Sequence, residues 1–162
     1  MGDIVDRQRR QVPSAGEFVG EEEMIIDTIN AMSELAKKHQ SIVVKLVGNH
    51  ETMRVIHADH RYATDMSRKL DFSPGSDIAC KIAKHAYAIA SLNGLLLCHG
   101  GVSPECARED LIERSNGVIE RLFTTKKSLH KESDLDYYRM HVTPFLWNRY
   151  FGDKEGQKID CS

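Results

Sequence analysis

The chain has 162 residues, enough for one domain or for a piece of a larger one. Its 22 Lys and Arg stand against 24 Asp and Glu, a formal net charge of −2, so it lacks the net basic field of a nucleic-acid binder. Four cysteines (Cys80, Cys98, Cys106 and Cys161) form no C-x-x-C pair, which argues for reduced thiols in a cytoplasmic setting and against a disulfide framework or zinc knot.

No apolar run approaches the roughly 18 residues of a membrane span. The N-terminus carries Asp3 and Asp6 with no apolar stretch, so it does not read as a signal peptide. In chain order, Gly2-Asp3-Ile4-Val5-Asp6-Arg7 comes first, followed by a Pro- and Gly-containing loop over residues 8–20. From Glu21 to about Lys38, Ile25, Ile29, Met32 and Ala36 recur at helical spacing, and the stripe of Met24, Ile25, Ile29 and Met32 predicts packing against a sheet. A β-branched strand, Ile42 to Val47, then runs into Gly48-Asn49-His50-Glu51.

A helix is expected within Thr52 to Met66, ending before Phe72-Ser73-Pro74-Gly75. Ser76 is placed to cap a helix reaching about His85. Residues Tyr87 to Leu92 and Leu95 to Cys98 form a hairpin about Asn93-Gly94, and its second strand delivers His99-Gly100-Gly101. Helices are predicted around Glu109–Phe123, despite Gly117, and around Asp134–His141. An apolar and aromatic stretch, Thr143 to Phe151, contains Arg149. A helix followed by a nearly continuous apolar strand is α/β grammar, and ligands gather at the carboxyl ends of such strands.

Three motifs therefore carry the chemistry: Gly2 to Arg7, Gly48 to Glu51 and His99 to Gly101. Carboxylate, amide oxygen and imidazole are together a ligand set for divalent manganese, iron or zinc. Two such ions about 3.5–4 Å apart polarise a phosphoryl oxygen and lower the pKa of a water. Asp3 suits a bridge between them, with Asn49 and His99 completing one metal's shell. His50 is a candidate general acid oriented by Asp6, and Arg7 a candidate phosphate grip. Arg149 reads equally as a phosphate clamp or as a rim arginine beside Trp147. His57 and His60 have metal-like spacing but no third ligand nearby, and read as exposed polar residues.

The three motifs in this order resemble the calcineurin-like metallophosphoesterases, and within them the phosphoprotein Ser/Thr phosphatases. Phe72-Ser73-Pro74-Gly75 and Leu146-Trp147-Asn148-Arg149 are similar to the bacterial-like, Shewanella-like branch. The resemblance spans residues 2 to about 151. It implies a two-sheet sandwich flanked by helices and a site holding two divalent metals. By resemblance, Asp3 bridges the metals and Asn49 and His99 bind the second. His50 is then the general acid held by Asp6, and Arg7, Asn49 and Arg149 face the phosphate.

The implied reaction is hydrolysis of a phosphomonoester, on a phosphoprotein or another phosphate-ester substrate, by metal-activated water. The family's opening Gly-Asp-x-His-Gly and its later Val-Gly-His histidine have no counterpart in residues 1–162. The expectation is a partial domain without its first strand and C-terminal part, with at most one well-formed metal site. Two alternatives accompany it: a dinucleoside polyphosphate hydrolase, and a non-catalytic pseudo-phosphatase module.

Overall fold

The computed structural model describes residues 21–59, 70–102 and 108–148. Its elements are helix α1 (Glu21–Lys38), strand β1 (Lys45–Leu46), α2 (Asn49–Val55), α3 (Asp77–Ala83), β2 (Ala86–Tyr87), β3 (Ile89–Leu92), β4 (Leu95–Cys98), α4 (Leu111–Thr124) and α5 (Glu132–Tyr137). A π-helical turn, Tyr138–Val142, leads into α6 (Thr143–Leu146). The architecture is mixed α/β. Among the described residues no helix is long and apolar enough to cross a membrane.

Local chemistry accounts for most of these boundaries. Helix α1 ends on Lys37 and Lys38, which suit the negative end of its dipole. Ser76 Oγ accepts the Ala79 N–H at 3.1 Å and starts α3, as predicted. The hairpin also forms as predicted: Ile89 pairs with Cys98 and Leu92 with Leu95. Asn93 and Gly94 both take positive φ (49° and 82°), as a type I′ turn requires.

Two expectations need correction. The strand predicted over Ile42 to Val47 is reduced to Lys45–Leu46, because its partner β2 offers only Ala86 and Tyr87 and Ile42 is left exposed. The helix expected from Thr52 begins instead at Asn49, so the Gly-Asn-His-Glu motif forms a helical first turn; in the described part it ends at Val55.

Helix α1 is also turned about its axis from the face expected, with Ile29 of the predicted stripe half-buried. Met24 and Met32 are 64% and 53% exposed, and Ile25 is exposed with them, whereas Ile26, Asn30 and Ser33 are buried. The reason lies in β1, which carries Lys45 inward. A buried ammonium needs acceptors, and Asn30 Oδ1 receives Lys45 Nζ at 2.7 Å while Asn30 Nδ2 donates to Lys81 O at 3.0 Å. Polar bonding selects the face that the apolar stripe would otherwise have taken.

The parallel pair β1–β2 and the antiparallel pair β3–β4 are joined at Ala88, so residues 86–92 form nearly one extended run. At that junction Asn116 of α4 bonds three backbone groups, accepting from Ala88 N (2.8 Å) and Ile89 N (3.2 Å) and donating to Ile89 O (2.9 Å). One amide thus replaces the ladder where the run changes partners. The core below gathers Val47, Phe72, Ile78, Ile82, Ile89, Ile119, Phe123 and Phe145 into one cluster.

Candidate functional site

Strand β1 ends at the Gly-Asn-His-Glu motif. Val47 N–H donates to Tyr87 O at 2.9 Å, and Gly48 follows at once. On β4, Cys98 pairs with Ile89, and His99 follows. The two motifs therefore leave their strands against Tyr87 and Ile89 of a single run, with Ala88 between. The sheet topology brings the Asn49 and His99 motifs to one place, where sequence spacing alone separates them by fifty positions.

Each turn is fixed differently. In the first, the buried Glu51 carboxylate accepts the Gly48 N–H at 2.7 Å, one half of a capping box. Thr52 Oγ1 donates back to Asn49 O at 2.9 Å. Asn49 is buried and His50 half-buried. Glu51 had no assigned role at the level of sequence; its spacing from Gly48, three residues on, was the available signal.

The second turn is held by a segment distant in sequence. A Cβ on Gly100 would run into the carbonyl oxygen of Phe145 and come within 2.8 Å of Leu146 O, so glycine is required by close backbone approach. Gly101 sits at φ 121°, a conformation that other residues rarely adopt. Asn148 Nδ2 donates to Gly101 O at 3.0 Å. The segment carrying Leu146-Trp147-Asn148 is thereby docked on His-Gly-Gly.

The Phe72-Ser73-Pro74-Gly75 segment reaches the same region from beneath. The Phe72 ring lies under the Arg54 guanidinium of α2, 3.7 Å from its carbon to the ring centroid. Arg54 is buried and pairs with Glu22 of α1 at 3.6 Å. Lys45, three residues before Gly48, has its pKa lowered to about 8, mainly by burial. Burial likewise pushes the Cys98 thiol up, and Cys80 and Cys98 are both free thiols.

His57 is exposed, as expected, with its Nε2 3.1 Å from the Tyr138 hydroxyl; burial of its inner edge and then the Arg139 charge hold its pKa down. Two other histidines serve as surface links. His85 Nε2 meets Glu34 at 2.6 Å, and His130 meets Thr125 O at 2.9 Å. Asp3, Asp6, Arg7, His60 and Arg149 lie outside the described residues.

Asn49 and His99 offer an amide oxygen and an imidazole, donors suited to a borderline divalent metal. Among the described residues, no three of His, Cys, Asp and Glu gather as a metal-holding group. The expected set is of a different kind, since it includes an amide and takes its carboxylate from Asp3.

No family model matches the chain, and no solved structure matches it. An uncharacterised protein of Acanthamoeba polyphaga mimivirus is similar, with 26% identity over 153 residues; the match covers 75% of this chain and 60% of that protein. The chain thus spans less than two thirds of the length of this curated relative.

Proposed function

We propose that this chain belongs to a metal-dependent phosphohydrolase of the metallophosphoesterase type, acting on phosphomonoesters of proteins in a cytoplasmic setting. One observation supports the reading above the rest. Val47 at the end of β1 bonds Tyr87 and Cys98 at the end of β4 pairs with Ile89, so the strands that lead into Asn49 and His99 end against the same short run. In the proposed fold, the β3–β4 hairpin belongs to the second sheet of a helix-flanked sandwich.

Asp3, Asn49 and His99 would hold a divalent ion, with Asp3 shared between two. When bound, such ions supply a water whose pKa falls from 15.7 towards about 7 and polarise the phosphoryl oxygen. His50, in the first turn of α2, donates a proton to the leaving oxygen, and Asp6 orients its ring. Arg7 and Arg149 hold the phosphate oxygens through their guanidinium forks.

The test is hydrolysis of p-nitrophenyl phosphate by the full chain with Mn2+, alongside a phosphopeptide and a dinucleoside polyphosphate. His50→Ala should lower kcat by about 10²–10⁴-fold. Asp3→Asn should weaken Mn2+ binding as well as turnover. Full activity in both variants overturns the assignment of roles, and preference for the dinucleoside substrate overturns the protein-phosphatase reading. A wild-type chain that binds Mn2+ without turnover would mark a non-catalytic module.

A further inference from the structure

Between α5 and α6 the chain adopts a π-helical turn, Tyr138–Val142, in which Thr143 N–H bonds to Tyr138 O. Thr143 Oγ1 donates to the same oxygen at 3.1 Å. Pro144 supplies the local reason: it has no N–H to give to the carbonyl four residues earlier, and its ring crowds that carbonyl, so the helix widens by one residue. Such single wide turns recur at functional sites.

The widened turn sets the angle between two contacts made by the same helical stretch. At its start, the buried Tyr138 hydroxyl lies 3.1 Å from Nε2 of His57, the second residue after α2, and His57 N–H bonds back to Thr52 O at 3.3 Å. At its end, Asn148 bonds Gly101 O, and Phe145 and Leu146 lie directly against Gly100. One stretch of chain therefore touches, through hydrogen bonds, the far end of the helix that opens with Asn49 and the turn that follows His99.

We infer that residues 132–148 act as a positioning strap: Tyr138 secures α2, the helix that opens with Asn49, through His57, Asn148 secures the turn carrying His99, and the π turn fixes their separation. The strap rests on the proposed metal site for its purpose, since ligand spacing decides metal affinity. Tyr138 and Asn148 are positioning residues; neither is assigned a contact with metal or substrate.

Mn2+ titration of the full chain by calorimetry tests it, using Tyr138→Phe, Asn148→Ala and the double variant. Each single change should weaken Mn2+ binding by about tenfold or more, the effect of losing a partner that orients a ligand. Because one element carries both contacts, the double variant should lose little beyond the larger single loss. Unchanged affinity, or losses that simply multiply, overturns the strap while the metal reading stands.

Amide hydrogen exchange on the metal-free chain supplies the second arm. Asn148→Ala should speed exchange at Gly101 and, remotely, at the α2 amides of Thr52 to Val55. Acceleration confined to residues 99–101 overturns the strap. Failure of the wild-type chain to bind Mn2+ overturns the metal reading instead, and the exchange result then decides the strap by itself.

Discussion

The two turns at the end of the sheet do the same work by opposite means. Gly48-Asn49-His50-Glu51 is held by a side chain, with Glu51 closing on Gly48 N–H from within its own helix. His99-Gly100-Gly101 is held from another segment: Gly100 lets the backbone of Phe145 and Leu146 press against it, and Asn148 bonds Gly101 O. A locally held turn survives if the rest of the molecule shifts. A turn held by close approach is only as well placed as the segment packed on it.

The sharpest way to break this comparison is Gly100→Ala. The added methyl meets backbone oxygens rather than a flexible side chain, so α6 or the turn must move. Overpacking of this kind costs about 1–3 kcal/mol, occasionally more, and we expect the upper part of that range in urea unfolding. The Asn148–Gly101 bond should be lost with it, raising amide exchange at Gly101. A variant as stable as wild type, with exchange unaltered, would show that the approach is not tight.

Glu51→Ala tests the other turn. It leaves the buried Gly48 N–H without its acceptor, a loss of about 1–3 kcal/mol, while Glu51→Gln keeps an amide oxygen at the same reach and should recover most of that stability. Equal loss in the two variants would mean that the carboxylate charge, not the cap, matters.

The buried Lys45–Asn30 pair leads into the first turn, and pH exposes it. Lys45 has a folded pKa of about 8 against 10.5 for an ordinary lysine. Between those values the unfolded chain holds a proton that the folded chain has released, so this group's contribution to stability rises with pH. The difference in unfolding free energy between wild type and Lys45→Met should therefore shift in favour of wild type from pH 8 to pH 10. Taking the difference cancels the opposing effect of Cys98, whose raised pKa lowers stability as thiols ionise. A flat difference would mean that Asn30 and Lys81 O keep the ammonium fully charged.

How much of this was legible in the sequence follows from which interactions are local. Ser76 caps α3 and Asn93-Gly94 turns the hairpin as read, because each acts within a few residues of its own position. The convergence of Asn49 and His99 needed the pairing of β1 with β2 and of β4 with β3, and no local signal carries that. Asn116 and Asn148 look like ordinary polar residues until the backbone groups they bond are known.

Helix α1 is the instructive miss, and it yields the smallest expected effect. Hydrophobic periodicity correctly reports a helix over Glu21–Lys38, but Met24, Ile25 and Met32 of the face it marks are exposed and Ile29 is half-buried, since the buried Lys45 ammonium draws Asn30 inwards. Met32→Gln should therefore change stability by no more than about 0.5 kcal/mol, whereas Ile26→Ala, at a fully buried position, should cost about 2–5 kcal/mol. Reversed costs in urea unfolding would restore the apolar stripe as the packing face. With the predicted order, the polar bonds of Asn30 outrank the three exposed apolar side chains in orienting the helix. Periodicity measures how apolar a face is; which face is buried depends on what the opposing strand requires.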